Sequence, residues 1–558
     1  MSGVYDFSHI FNASVLAFSP GTTFIATAFH NRIVVRSTST FQIVRTWVVA
    51  VKDTEASSSR QGQYSTTSPS SQNDPEEFEI DNLQWSGDGL YLLIHSSHAK
   101  MAWVYGLAEE IQSARIAGMS VEGLSKVEWA KSGREVLAWT DFNLKLSIYD
   151  LRTGEAKVIQ GIKSNCGCYT YSPDSRYLAT IEKHFGKEYT GIYDIHDSYS
   201  LIRHFGLTTT DAQGILWSPC GRYIAVWDTR LSYSLYIHSP LGPQISNFTP
   251  SSPTFLLRPE EMSGLGVRAI TWAPTGRWLA VGGWDGKVRI LENEGWTSIC
   301  TISVGMRVSG SNTTVWREPE DWLRDTRGRG IVQFNRQPRP APPFPILRPD
   351  LSKPNPRMGV CQISFEHSAT LFLIRLESQP CVVHIYSFLP APKSDQPVVD
   401  HLVSLVFTKE VKKAKWCPVG KKASIVTCGG GVYFWDKEAQ WAEEDTTLSD
   451  IPADKHDDQS GIAEGVGIPT HAEFSAQDIQ WSQDGKALAI LDRSQFCLLY
   501  ESETGASTKI NEVVETSVTW DSMNEELSHV VEEVAACEGK PIDHPLQVSA
   551  SHRLAIAR

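Results

Sequence analysis

The chain has 558 residues, 41% of them hydrophobic and 10% aromatic, with 18 Trp and a formal net charge of −13. That acidic balance excludes a bulk polyanion binder and leaves room only for a local basic patch. Its ten cysteines are scattered, and the one close pair, Cys166-Gly-Cys168, has no matching Cys or His pair downstream, so neither a disulfide framework nor a zinc ribbon is indicated.

The N-terminal MSGVYDFSHIF lacks a basic segment and a long apolar core, so no signal peptide is expected. No apolar run reaches the roughly 18 residues that a membrane-spanning helix needs. These features predict a soluble, reduced, intracellular protein.

Val4–Phe7 is the first strand-like segment. Val15–Phe18, Phe24–Ala28, Arg32–Arg36 and Gln42–Val49 then read as four short strands separated by turn residues. The turn after Phe18 belongs to a recurring unit: an apolar run ending in an aromatic anchor, a tight Ser/Pro/Asp/Gly turn, and a second apolar run. Gly214–Asp228 (GILWSPCGRYIAVWD) shows it most clearly. There Pro219 presets φ, and Gly221 supplies the positive φ that closes the turn. The anchors are Phe18, Trp85, Trp129, Tyr171, Trp217, Trp272, Phe365, Trp416 and Trp481. Successive anchors from Trp85 to Trp217 are 44, 42 and 46 residues apart. A hairpin cannot bury its own faces, and a period of about 40–45 residues is that of a four-stranded propeller blade. The predicted fold is therefore an all-β, WD-repeat β-propeller, one closed ring of about nine four-stranded blades over residues 1–520. Val4–Phe7 is expected to complete the last blade.

Blade six gives the unit in full: strands Val267–Trp272, Trp278–Gly282, Lys287–Leu291 and Trp296–Ile302, with Trp284-Asp285-Gly286 as an Asp-Gly hairpin turn. The terminal Trp-Asp of such repeats is literal at Trp435-Asp436 and replaced by Tyr-Asp at Tyr149 and Tyr193. Three inserts break the period. Residues 53–77 are Ser-, Thr-, Gln- and Pro-rich and predict a disordered loop. Residues 305–358 predict an extended Pro/Arg-rich arm, and its Arg307–Arg357 part holds ten Lys or Arg against five Asp or Glu. Residues 437–473 predict a solvated acidic loop, whose Asp454, His456, Asp457 and Asp458 lack the Gly and Glu of a calcium loop. In the C-terminal tail, residues 521–558, Leu527, Val530, Val531 and Val534 form the stripe of a short helix over Ser522–Cys537.

No catalytic motif is present: there is no phosphate-binding loop, metalloprotease helix, nucleophile elbow or dinucleotide fingerprint. Gly429-Gly430-Gly431 lies between two strands with no helix following, which reads as a bend. No catalytic, metal or cofactor residue is assigned, and the 16 His are dispersed. Two places are candidate partner contacts. One is the arm, through Phe344, Ile346, Leu347 and Arg348. The other is the rim near Trp227, Asp228, Trp284 and Asp285, whose alternative reading is blade packing and turn capping.

Blades five and six, GILWSPCGRYIAVWDTRLSYSLYIHSPLG and VRAITWAPTGRWLAVGGWDGKVRIL, resemble the centrosomal WD-repeat proteins encoded antisense to the p73 tumour-suppressor gene in mammals, with counterparts at fungal spindle poles. RIVVRSTSTFQI, LRPDLSKPNPRMGV and VTCGGGVYFW fit the same family, so the resemblance runs from about Phe7 to about Tyr500. It implies a non-catalytic adaptor at the microtubule-organising centre, in the cytoplasm and cytoskeleton. The implied partners are a coiled-coil microtubule-anchoring protein and, in fungi, a minus-end-directed kinesin, with no membrane or nucleic-acid partner. The alternative is an RNA- or ribosome-binding propeller resembling a translation initiation factor, which the Arg-rich arm keeps open. A ubiquitin-ligase receptor would need a docking element that is not visible in the chain. A propeller hydrolase would need carboxylates or metal ligands converging on the channel.

Overall fold

The computed structural model describes residues 4–49, 78–109, 112–117, 123–140, 145–164, 166–250, 265–308, 313–353, 356–390, 397–439, 460–469 and 474–502. These form a β-propeller of nine blades, each built on four antiparallel strands. They divide into two compact units, one holding blades one to three within residues 12–159, the other holding blades four to nine.

All nine turns are made the same way. The backbone N–H of the residue after each anchor donates to the carbonyl five residues on, from Ser19 to Phe24 in blade one to Ser482 to Ala487 in blade nine. Where that residue is Ser, its hydroxyl accepts the N–H returning from the second strand, as at Phe24 (2.9 Å), Tyr91 (2.9 Å), Tyr177 (2.9 Å), Tyr223 (3.0 Å) and Ala487 (2.9 Å). The residue four past each anchor has positive φ. It is Gly in six blades and Thr22, Ser175 and Ala369 in the others. Turn chemistry of this kind is local, and for that reason it marks every blade in the sequence.

Anchor tryptophans also join neighbouring blades. The indole N–H groups of Trp85, Trp129 and Trp416 donate to the carbonyls of Ala17 (3.0 Å), Gln84 (3.1 Å) and Ser364 (2.9 Å), each the residue just before the preceding blade's anchor. Between these staples lie cores such as Phe24, Ile33, Trp47, Leu92 and Trp103 in the first unit, and Leu371, Ile385, Leu405, Ile425 and Trp435 in the second. Burying each such side chain contributes roughly 1.5–3 kcal/mol. Val4–Phe7 pairs antiparallel with Gln495–Ser502, completing blade nine as expected. Tyr5 fixes it there by stacking on Phe434 at 5.1 Å, hydrogen-bonding Glu464 and accepting from Lys422 Nζ at 3.1 Å.

Two inserts differ from expectation. The 305–358 segment does not stand off the blades as an arm. Its Thr314–Arg317 adds to blade seven as a parallel strand against Val403–Val406, and Asn335–Arg336 pairs onto it. Its Ile331–Gln333 extends blade eight against Ile462–Gly467, and a short helix, Trp322–Asp325, lies between these strands. Val315, Trp316, Trp322 and Phe334 are all buried, and they hold the segment down despite its Pro/Arg composition. Within the acidic 437–473 insert, Ile462–Gly467 is likewise a fully buried strand of blade eight. The 53–77 loop, the Asp454–Asp458 cluster and the C-terminal helix lie outside the described residues.

Candidate functional site

The predicted rim near Trp284 and the end of the 305–358 segment meet in the larger unit, along blades five, six and seven. The Trp227–Arg230 turn leaves blade five, and Arg230 O accepts the N–H of Gly266 at 2.7 Å. Gly266 O in turn accepts the N–H of Trp284 at 3.0 Å. Gly359, the residue after the 305–358 segment, has φ 79 and lies against Trp284, so that a Cβ there would sit 2.6 Å from the Trp284 Cα. Only glycine permits this approach.

Trp284 lies between two arginines, with the Arg268 guanidinium 4.4 Å and that of Arg230 5.6 Å from the ring centroid. Arg268 also pairs with Glu377 at 2.8 Å and donates to Met358 O. Arg357 bridges Glu377 (3.2 Å) and Glu410. Beside it opens a cavity of about 330 Å³ whose charged lining is Arg357, Arg375, Glu377, Glu410 and Lys412, with Cys361 at the wall. Burial lowers the Arg375 guanidinium from its ordinary value, whereas the Glu410 hydrogen bond raises that of Arg357. Burial raises the Cys361 thiol, which leaves it a poor nucleophile. The chemistry on offer is recognition of charge and apolar surface.

The predicted residues divide sharply. Phe344 is only 4% exposed, packs with Val315, Val382 and Val406, and meets His384 edge-on at 5.3 Å. Its ring is used internally, so it is no anchor for a partner. A large ring among prolines finds its own blade first. Ile346 and Leu347 are exposed, with the Leu347 N–H donating to Ser378 O at 2.7 Å, beside Glu377 of the cavity. Arg348 is exposed next to them, and Leu351 is 75% exposed. On the blade-five side, Leu231 is 79% exposed.

Asp228 is buried and accepts the N–H groups of Thr210, Asp211 (2.7 Å) and Thr229 (2.8 Å), which is turn capping. Asp285 accepts Lys287 N–H (3.1 Å) and pairs with Arg289 (2.8 Å). Trp227 covers Gly214, where a Cβ would fall 2.2 Å from the indole. Trp284 alone of these four presents a ring to arginines, the exposed Arg230 and the half-buried Arg268. The sequence reading missed Arg230, Leu231, Arg357 and Leu351. Exposed Leu beside Arg at a turn is the only signal that points to them.

The fold is a nine-bladed β-propeller, and its rim offers surfaces of the kind that hold protein partners. The WD domain, G-beta repeat family matches residues 261–291, a stretch that includes the first three strands of blade six. Along most of its length the chain is similar to mouse WD repeat-containing protein WRAP73, with 26% identity over 513 residues, 89% of this chain and 96% of that protein. It is also 24% identical over 226 residues to the fission-yeast uncharacterized WD repeat-containing protein C32H8.09, covering 40% of this chain and 45% of that one. Among solved structures, the C-terminal WD40 domain of Sif2 has a TM-score of 0.42 at 10% identity, covering 76% of this chain and 97% of that one. Sqt1 from Chaetomium thermophilum has a TM-score of 0.42 at 13% identity, covering 75% and 95%.

Proposed function

We propose that this protein is a non-catalytic adaptor at the microtubule-organising centre. There it pairs with a coiled-coil microtubule-anchoring protein to hold microtubule minus ends and, in fungi, to support delivery of a minus-end-directed kinesin. The observation that carries this reading is the similarity to WRAP73, which follows the chain through nearly all its blades and is not confined to one repeat. The rim supports it chemically. Ile346, Leu347, Leu351 and Leu231 present apolar surface flanked by Arg348 and Arg230. Such a surface fits the apolar seam and acidic flanks of a helix from a coiled coil.

Proximity labelling in dividing cells tests the reading, with spindle-pole and coiled-coil proteins expected among the labelled set. The paired variant Ile346→Asp/Leu347→Asp should lose the partner while keeping its thermal midpoint, because both side chains are exposed. Recovery of ribosomal proteins alone, or RNA binding with a steep salt dependence, would favour the ribosome-binding reading instead.

A further inference from the structure

Blade four carries a side-chain constellation with no part in the rim. Its second strand, Tyr177–His184, pairs with Lys187–Asp194, which pairs with Ser200–Gly206. Thr180, Glu182 and His184 alternate onto one face of the second strand. In register beside them, Tyr189, Gly191 and Tyr193 share that face on the third strand. His204, opposite Gly191, shares it on the fourth. Gly191, on the strand between them, leaves the gap in which side chains of strands two and four meet. A Cβ there would lie 2.2 Å from Glu182 Oε1.

His204 reaches across that gap to the same oxygen that His184 faces from two residues along the strand of Glu182. His184 Nε2 is 3.1 Å and His204 Nε2 3.2 Å from Glu182 Oε2. The other oxygen, Oε1, accepts the hydroxyls of Tyr193 (2.6 Å) and Thr180 (2.9 Å), which lock the carboxylate plane. Tyr189 stacks on His204 at 4.8 Å, and Gly161 lies so close under His184 that a Cβ would meet the ring at 2.6 Å. Both imidazoles are therefore held in position. One donor atom from each of the three residues lies within 4.8 Å of the others.

We propose that Glu182, His184 and His204 form a binding site for a first-row divalent cation, with Zn²⁺ as the best fit. Two imidazole nitrogens and one carboxylate oxygen are a borderline donor set suited to zinc. Tetrahedral bonds of about 2.0–2.2 Å place ligand atoms roughly 3.3 Å apart, close to the two His–Glu separations already present, and the two imidazole nitrogens lie within 4.8 Å of each other. The charge balance points the same way. Glu182 is a buried carboxylate whose ion-pair partners among the described residues are two imidazoles and no Lys or Arg. Thr180 and Tyr193 supply the outer hydrogen bonds that orient a metal-binding carboxylate. Glu182 closes the site from below, while the two histidine side chains are about a third exposed, so a fourth ligand enters from solvent.

The test uses the untagged full chain, stripped with a chelator and titrated with Co²⁺ and Zn²⁺. The expected result is one saturable equivalent, visible Co²⁺ ligand-field bands, and a Zn²⁺-dependent rise in thermal midpoint. His184→Asn/His204→Asn should abolish all three. Tyr193→Phe, which removes only an outer hydrogen bond, should weaken Zn²⁺ about tenfold or more. Circular dichroism of the metal-free variants separates loss of the site from loss of the blade. If the stripped wild-type chain takes up neither ion saturably, or the double Asn variant binds as well as wild type, the cluster is a hydrogen-bonded His–Glu–His network and the proposal fails.

Discussion

Blade six is assembled from four consecutive antiparallel strands between Val267 and Ser303, whereas blade seven draws six strands from between Thr314 and Val406, one of them parallel. Both begin from the same turn, with a backbone hydrogen bond from Ala273 to Trp278 in one and from Glu366 to Leu371 in the other. The difference lies in what is added later. Blade six is closed by local pairing alone. Blade seven accepts a strand whose partners are some ninety positions away in sequence, and it carries buried polar groups to hold that strand. Propeller turns therefore set the number of blades, while long-range additions decide which blades become individual.

The added strand depends most on Glu318, at its end. This buried carboxylate accepts Trp322 Nε1–H (2.8 Å), the Tyr433 hydroxyl (2.5 Å), and the Thr408 N–H (2.7 Å) and hydroxyl (2.8 Å), tying blade seven to the helix and to blade eight. Glu318→Ala would orphan four donors. It should cost about 4 kcal/mol, the largest effect expected here. Guanidinium unfolding followed by tryptophan fluorescence measures it. A loss under about 1 kcal/mol would mean that the added strand is held by apolar burial alone.

Phe344→Ala should cost about 3 kcal/mol, because it opens a cavity among Val315, Val382 and Val406. Ile346→Ala and Leu347→Ala, two and three residues on, should stay within about 0.5 kcal/mol. The same unfolding series decides it. Equal costs for all three would erase the division between the buried and exposed parts of the segment.

That division also shows what could be read from the sequence. Anchors, turns and the strands of blade six lie within a few residues of their predicted places, because hydrophobic alternation and turn chemistry act over short range. The 305–358 segment reads as an arm in the sequence because five buried apolar residues, Val315, Trp316, Trp322, Phe334 and Phe344, are outvoted in composition by prolines and arginines. The meeting of Glu182 with His204 depends on register across strands, and that of Trp284 with Gly359 on packing between blades six and seven. Glu182-Lys183-His184 alternates visibly, but nothing local says that Gly191 opens a gap toward His204.

Acid should separate the two blades. Blade six contains no histidine. Blade seven buries His384, bonded to Gln379 (2.8 Å) and Ser404 (3.0 Å), and half-buries His401, bonded to Ser404 (2.9 Å) and stacked on Tyr386 (4.5 Å). Burial pushes His401 down to about 4 and His384 well below its ordinary value. The folded state thus favours neutral rings. The unfolded chain takes up protons first, so stability is intact above about pH 6.5 and falls as pH drops toward 4. His401 alone should lose roughly 2 kcal/mol between pH 7 and pH 5. Hydrogen exchange, corrected for intrinsic rates, should show blade seven loosening over that interval while blade six does not. Parallel loosening of both would remove the histidines as the cause.

The smallest effect concerns the turn position the two blades share, four residues past the anchor: Gly276 at φ 71 in blade six and Ala369 at φ 58 in blade seven. A Cβ on Gly276 would lie 2.7 Å from the Cys220 backbone nitrogen, so Gly276→Ala adds left-handed strain to a backbone clash. It should cost at least about 1 kcal/mol. The reverse change in blade seven draws on opposing terms. Ala369→Gly relieves about 1–2 kcal/mol of left-handed strain. It gives up roughly 0.8 kcal/mol for one buried methyl and about 0.4–1 kcal/mol through the freer unfolded chain. Ala369 packs against Phe372 and Phe388 in a buried cluster, so the methyl contribution applies in full. The sum is near zero, and the thermal midpoint should stay within about 2 °C of wild type. A clear stabilisation would mean that the Ala369 methyl adds little packing. A clear loss would mean that blade seven tolerates the strain because that methyl fills its core.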